Sequence, residues 1–188
     1  MEQLRRKFKK YIDKSGGVNY EIQVIDQASI GILLLNLYTW FHDEMYLKAA
    51  RKLFADIQSM RENDGSIKYR PNSPNQFCDA VGMYVPFLME YFNLTKDSLA
   101  YQIADYNMQQ YYRKGVDKET GIPFHGYDWN SGIRVGSANW GRGIGWYLLA
   151  AAYCPQFKDE KLNESLKKMN YTQFPNSNNK FDSSTALM

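Results

Sequence analysis

The sequence predicts an all-α fold, a toroid of helical hairpins, and three observations predict it. Apolar residues recur at helical spacing through most of the chain. Successive helical segments are joined in pairs by short polar turns. The pairs return with a period of roughly 50–60 residues, longer than common helical solenoid repeats and suited to a ring that closes on itself. With 188 residues, 44% hydrophobic and 23% charged, the chain reads as one domain, 1–188, with a real core.

Residues 1–13 read as the second half of a hairpin whose first half is missing. Ile30, Leu33, Leu34 and Leu37 share a helical face, and after the turn His42-Asp43-Glu44 so do Leu47, Ala50, Leu53, Phe54 and Ile57. The same order returns with Val81, Val85, Leu88 and Phe92, the turn Thr95-Lys96-Asp97, then Leu99, Ile103, Tyr106 and Tyr111. A third pair begins at Trp146 to Tyr153 and continues through Leu162, Leu166 and Met169. After each second helix comes a similar loop, Asn63 to Tyr69 and Glu119 to His125, with Gly65 and Gly121 where a turn needs a permissive backbone. The final segment, Asp182-Ser183-Ser184-Thr185-Ala186-Leu187-Met188, reads as a helix cap without its helix. The chain therefore reads as an excerpt of a longer barrel, about half of a ring, with an open apolar edge available for self-association.

Asp26, Asp79, Arg142 and the pair Asp182-Ser183 all fall at or just before the first turn of a first-in-pair helix. Equivalent positions of a toroid meet at one end, so these side chains are expected to converge. The segment Asn139-Trp140-Gly141-Arg142-Gly143-Ile144-Gly145-Trp146 is the most unusual in the chain. Each helical glycine is unfavourable by about 1 kcal/mol relative to alanine, so the three need a reason. Close packing accounts for the glycines but not for an arginine between two tryptophans, which suits holding a carboxylate and stacking a sugar ring.

Each candidate has a plainer reading. Asp79 and Asp26 are each well placed to cap a helix. Two like charges at one site would instead push one acid's pKa upward, as a general acid needs. His125 sits in a loop, where functional residues concentrate, or simply makes a structural hydrogen bond. His42 is assigned to the outer surface. Trp140 and Trp146, six residues apart, lie about 120° apart around a helix, so one stacks a ligand while the other packs.

Composition excludes other classes. The net charge of +3 comes mostly from Arg5, Arg6, Lys7, Lys9, Lys10 and Lys14, leaving no basic surface for nucleic acid. Two cysteines, Cys78 and Cys154, and two histidines give no metal or redox spacing, and both thiols are expected buried and free. No stretch approaches the roughly 20 apolar residues of a membrane span, and no signal peptide is evident. The chain as given reads as soluble and cytoplasmic, or periplasmic if an upstream signal has been removed.

In this order, Asp26, Asp79 before Met83-Tyr84-Val85-Pro86-Phe87-Leu88, His125-Gly126, the Trp140-x-Arg142-Gly143-x-Gly145-Trp146 block and Asp182-Ser183-Ser184-Thr185-Ala186 resemble the unsaturated glucuronyl and rhamnogalacturonyl hydrolases of glycoside hydrolase families 88 and 105. The resemblance covers nearly the whole chain. It implies an (α/α)6 barrel acting on the 4,5-unsaturated uronic acid that a polysaccharide lyase leaves at the non-reducing end. It implies that Asp79 protonates the sugar double bond and then activates water, that Asp26 orients hydroxyls and tunes Asp79, and that His125 bonds ring substituents. Arg142, Trp140 and Trp146 would hold the carboxylate and stack the sugar, and no metal or cofactor is implied. Two departures stand out: the family usually has asparagine where this chain has Ile144, and the N-terminal part of the barrel is absent. Other enzymes of the same shape, a sugar epimerase or a mannan hydrolase, are alternatives, as is a non-catalytic carbohydrate-binding remnant. The epimerases generally use paired histidines.

Overall fold

The computed structural model describes residues 2–8, 11–13, 16–18, 22–136, 140–154, 164 and 167. Helix α1 (Glu2–Phe8) leads to a 3-10 helix (Ile25–Ser29) that runs directly into α2 (Ile30–Phe41), followed by α3 (Glu44–Ser59). Strand β1 (Asn75–Phe77) feeds α4 (Cys78–Thr95), which pairs with α5 (Ser98–Gly115). Strands β2 (Gly126–Asp128) and β3 (Arg134–Val135) precede α6 (Gly141–Tyr153). These are hairpins of the (α/α) toroid type.

The two complete hairpins are built alike. His42 (φ 51) and Lys96 (φ 62) end α2 and α4 in the left-handed region, a common way to terminate a helix. The next residue, Asp43 or Asp97, then caps the following helix, accepting from Met45 N at 3.2 Å or Leu99 N at 3.0 Å. The second-helix loops also match: Gly65 (φ 93) and Gly121 (φ 73) take the left-handed turn, flanked by the bridges Arg61↔Ile67 and Val116↔Pro123. Arg5 lies 4.6 Å from the Phe41 ring centroid and 3.9 Å from Asp43, so α1 sits against the α2–α3 turn.

First-in-pair helices lie side by side, with α4 packed on both α2 and α6, and α3 and α5 pack behind them. Most of the predicted apolar faces are buried: Leu34 and Leu37 on α2, Leu47, Ala50, Leu53, Phe54 and Ile57 on α3, Val81, Val85 and Leu88 on α4, Ile103 and Tyr111 on α5, whereas Ile30, Leu33, Phe92, Leu99 and Tyr106 are half-buried. Cys78 and Cys154 are buried free thiols, and burial pushes both up to about 12. Leu162, Leu166, Met169 and Asp182-Ser183 lie outside the described residues.

An antiparallel sheet, order β1-β2-β3, adds to the all-α expectation. Asn75 pairs with Asp128, Gln76 with Tyr127 and Phe77 with Gly126. Its strands are two or three residues long, below the length at which alternation is legible.

The three glycines of α6 are not equivalent. A Cβ on Gly143 would overlap the Cys78 sulfur and come within 2.8 Å of the Trp140 ring, so this glycine lets α6 close onto the start of α4. Among the described residues, Gly141 and Gly145 have nothing within 4 Å of that position. The second close crossing is Gly82 on α4, where a Cβ would meet backbone and lie 2.5 Å from Trp146 Cβ and 2.6 Å from its carbonyl carbon.

Candidate active site

Neither aspartate is the helix cap. Ahead of α2 the 3-10 helix begins after its N-cap Val24, and Gln27 takes the N–H groups of the two residues leading into it, its Oε1 accepting from Gln23 N at 2.7 Å and Val24 N at 3.2 Å. That leaves the Asp26 carboxylate for other work. Phe77 is the N-cap of α4 and offers no side-chain bond, while Asp79 sits one residue inside, 9% exposed, its Oδ1 accepting from Ala80 N at 3.1 Å.

A loop residue anchors each acid in the same way. The N–H of Ile25, just before Asp26, donates to the Tyr69 carbonyl at 2.9 Å, and the N–H of Cys78, just before Asp79, donates to the His125 carbonyl at 2.9 Å. Tyr69 and His125 each stand four residues past the left-handed glycine of their loops, so they are repeat equivalents. Both meet Phe77: the Tyr69 ring lies edge-on at 4.7 Å and the His125 ring tilted at 5.0 Å. His125 continues onto Trp140 at 4.5 Å, edge-on, and the Arg142 guanidinium lies over the Trp140 ring at 4.3 Å. Tyr69, Phe77, His125, Trp140 and Arg142 thus form one continuous stack alongside the two acids.

Asp26 closes the group. Its Oδ2 accepts from the Tyr69 hydroxyl at 3.1 Å, while its Oδ1 is buried and has no hydrogen-bond partner among the described residues. Burial raises the Asp26 pKa, the charge of Asp79 raises it further, and the Tyr69 bond and the Arg142 charge pull it back only partly. Burial and the charges of Asp26 and Asp79 push the Tyr69 hydroxyl up as well, so it acts as a donor. The Arg142 side chain is exposed, and among the described residues it makes no ion pair, which leaves its donors open to an anion.

The two tryptophans divide as helical geometry requires. Trp140 stands at the rim as the N-cap of α6, and Trp146, one turn beyond Arg142, packs on the Gly82 backbone. Trp146 also lines a cavity of about 270 Å³ between α2, α4 and α6, together with Ile32, Leu33, Asn36 and Met83. Ile144 is 9% exposed and packs with Ile122 and Leu148, so the isoleucine lies in an apolar contact rather than at the rim. His42 is exposed at the far end of α2.

The structure brings Asp26, Asp79, His125, Trp140 and Arg142 to one end of the first-in-pair helices, with Trp146 one turn below. Tyr69 and Phe77 are the members that sequence reasoning missed, because each reads as an ordinary core aromatic. Aligning the two loops on Gly65 and Gly121 would have exposed Tyr69 as the partner of His125.

Comparison with known proteins places these features among sugar enzymes. The model of Glycosyl Hydrolase Family 88 matches residues 1–180. A glycoside hydrolase of family 105 from C. acetobutylicum ATCC 824 superposes with a TM-score of 0.73 at 20% identity, covering 90% of this chain and 51% of that one. The GH76A alpha-1,6-mannanase from Salegentibacter sp. HEL1_6 gives 0.67 at 19% identity, covering 89% and 50%. The cellobiose 2-epimerase from Spirochaeta thermophila DSM 6192 gives 0.73 at 12% identity, covering 92% and 50%. At these identities the solved structures establish the fold, and the chain spans about half the length of each.

Proposed function

The chain belongs to glycosyl hydrolase family 88, and from that premise we propose that it releases a 4,5-unsaturated uronic acid from the non-reducing end of lyase-generated oligosaccharides by hydrating the sugar double bond. The observation that carries this reading is the grouping of two acids with an exposed guanidinium laid on an indole, one that makes no ion pair among the described residues. An anionic planar sugar asks for those groups: Arg142 for its carboxylate and Trp140 for its face.

In this mechanism Asp79 delivers a proton to C4 of the C4=C5 bond, and positive charge develops at C5 beside the ring oxygen. The Asp79 carboxylate then takes a proton from water as its oxygen bonds to C5, which returns Asp79 to its starting form. The hemiketal at C5 opens, and the aglycone leaves from the anomeric carbon. Asp26, held by the Tyr69 hydroxyl, carries substrate hydroxyls, and burial together with the nearby charge of Asp79 raises its own pKa. His125 bonds ring substituents from the loop side, and Trp146 and Met83 form the apolar floor.

The epimerase alternative asks for a pair of histidines. His125 stands at the site, whereas His42 is exposed at the other end of α2, which supports the hydrolase reading. Asp79→Asn tests it directly. The variant should no longer bleach the ultraviolet absorbance of an unsaturated uronyl disaccharide while still binding it, and wild-type rates in the variant would remove Asp79 from the mechanism.

A further inference from the structure

His125 has a neighbour that the stack of aromatic rings does not include. Gly136 follows β3 with φ 76, a conformation that glycine takes without strain. Strand β3 pairs Val135 with Gly126 and Arg134 with Tyr127, so one step further along the ladder Gly136 stands opposite His125. Residues directly opposite in an antiparallel pair carry side chains on one face, with Cβ atoms about 4.5–5.5 Å apart. Here the two chains come closer. A Cβ on Gly136 would lie 2.7 Å from His125 Cβ, 3.0 Å from its Nδ1 and 3.2 Å from its Cγ, and Nε2 is farther away than any of these. The Nδ1 edge of the imidazole therefore rests against the Gly136 backbone.

The rest of His125 has little room to yield. Its carbonyl accepts from Cys78 N at 2.9 Å, and the buried Tyr111 hydroxyl donates to the Phe124 carbonyl at 2.7 Å and to the His125 carbonyl at 3.3 Å. Its ring lies edge-on to Trp140 at 4.5 Å and tilted against Phe77 at 5.0 Å. Ordinary contact begins at 3.4 Å, so a methyl group at position 136 drives His125 back by about 0.7 Å. The nearest atom is the His125 Cβ, which no rotation of the ring carries aside, so the main chain must move with it. That main chain is bonded to Cys78, the residue before Asp79. The same hairpin holds a control. Gly132 also has a positive φ, 70, yet among the described residues nothing lies within 4 Å of a Cβ built there. A left-handed backbone accounts for glycine at both positions, and the contact with the imidazole belongs to Gly136.

We propose that Gly136 is a positioning residue of the active site: it seats the Nδ1 edge of the His125 imidazole and leaves Nε2 as the nitrogen that meets the ring substituents of the substrate. The inference rests on the hydrolase reading for what Nε2 meets, and on the geometry alone for how the ring is held. Gly136→Ala and Gly132→Ala carry the same backbone strain, so comparing them isolates the imidazole contact. With an unsaturated uronyl disaccharide, kcat/KM should fall about tenfold further in Gly136→Ala than in Gly132→Ala. That excess should disappear when both changes are made in a His125→Ala background. The chain has two histidines, so the ring nitrogens of His125 are identified in 15N spectra as the signals that His125→Ala removes. In the free protein they should shift in Gly136→Ala and stay in place in Gly132→Ala. In the parent chain, which needs no variant to fold, the disaccharide should move Nε2 and leave Nδ1 near its free position. Equal losses in the two alanine variants, an excess that persists without His125, ring signals unmoved by Gly136→Ala, or a substrate shift confined to Nδ1 would overturn the proposal. Failure of the hydrolase reading looks different: the parent chain leaves the absorbance of every unsaturated disaccharide unchanged, while the free-protein spectra still report whether Gly136 holds the ring.

Discussion

Replacing Gly82 by alanine tests a close approach between the helix that carries Asp79 and the helix that carries Arg142. The new Cβ would lie 2.5 Å from Trp146 Cβ, whereas ordinary contact begins at 3.4 Å, so α6 must retreat by about 0.9 Å. The neighbouring atoms belong to the Trp146 backbone and its first side-chain carbon, which no rotamer can move aside. Overpacking of this kind destabilises by about 1–3 kcal/mol, and with backbone in the way the upper end applies. Alanine recovers about 1 kcal/mol of helix propensity, which leaves a net loss of about 2 kcal/mol. Urea unfolding of Gly82→Ala and Gly145→Ala measures this against an internal control. Among the described residues nothing lies within 4 Å of a Cβ added at Gly145, so that variant should be neutral or more stable by up to about 1 kcal/mol. A retreat of this size also widens the gap between acid and cation, and a misplacement near 1 Å can lower a rate by about a hundredfold. If Gly82→Ala is as stable and as active as the parent chain, the packing argument is wrong.

Asp26→Asn should raise stability at neutral pH. The Asp26 pKa is raised in the folded state, so between the ordinary aspartate value and the raised one the native chain binds more protons than the unfolded chain. Stability therefore falls as pH rises through that window, and asparagine removes the fall. Melting temperatures of both chains across that range check the sign, and parallel curves would show that Asp26 is not strained. Arg142→Ala should weaken binding of uronates by about ten- to a hundredfold, the range of charge-assisted hydrogen bonds, and of neutral sugars far less. Equal losses by calorimetry would make the arginine structural. Asn107→Ala should cost about 2–3 kcal/mol in urea unfolding, because Asn107 accepts from Ile67 N at 2.9 Å and donates to the Ile103 carbonyl at 2.9 Å in a buried setting. A change under about 0.5 kcal/mol would show that the loop holds itself.

Helices were legible because an apolar stripe at helical spacing survives every local irregularity. The α3 stripe from Leu47 to Ile57 is buried residue for residue. The hairpin turns were legible for the same reason, with Asp43 and Asp97 as recognisable caps. The sheet was not, because strands of two or three residues carry no period. Asp26 and Asp79 come to one end of the helices as expected, but neither is the cap that the plainer reading made of it. Capping ahead of α2 falls to Gln27, a role its sequence position signals only once the 3-10 start after Val24 is known. Tyr69 and Phe77 escaped because their contacts with Asp26 and His125 arise from the juxtaposition of loops, which a linear reading reaches only through the repeat.

The anchoring of Asp26 and Asp79 by matching backbone bonds to Tyr69 and His125 has an evolutionary corollary. Two copies of one supersecondary unit present different side chains from the same address, one phenolic and one imidazole, without altering the scaffold beneath. Diversification can proceed by exchanging the tenant at that address, since the main chain, not the residue occupying it, secures the neighbouring carboxylate.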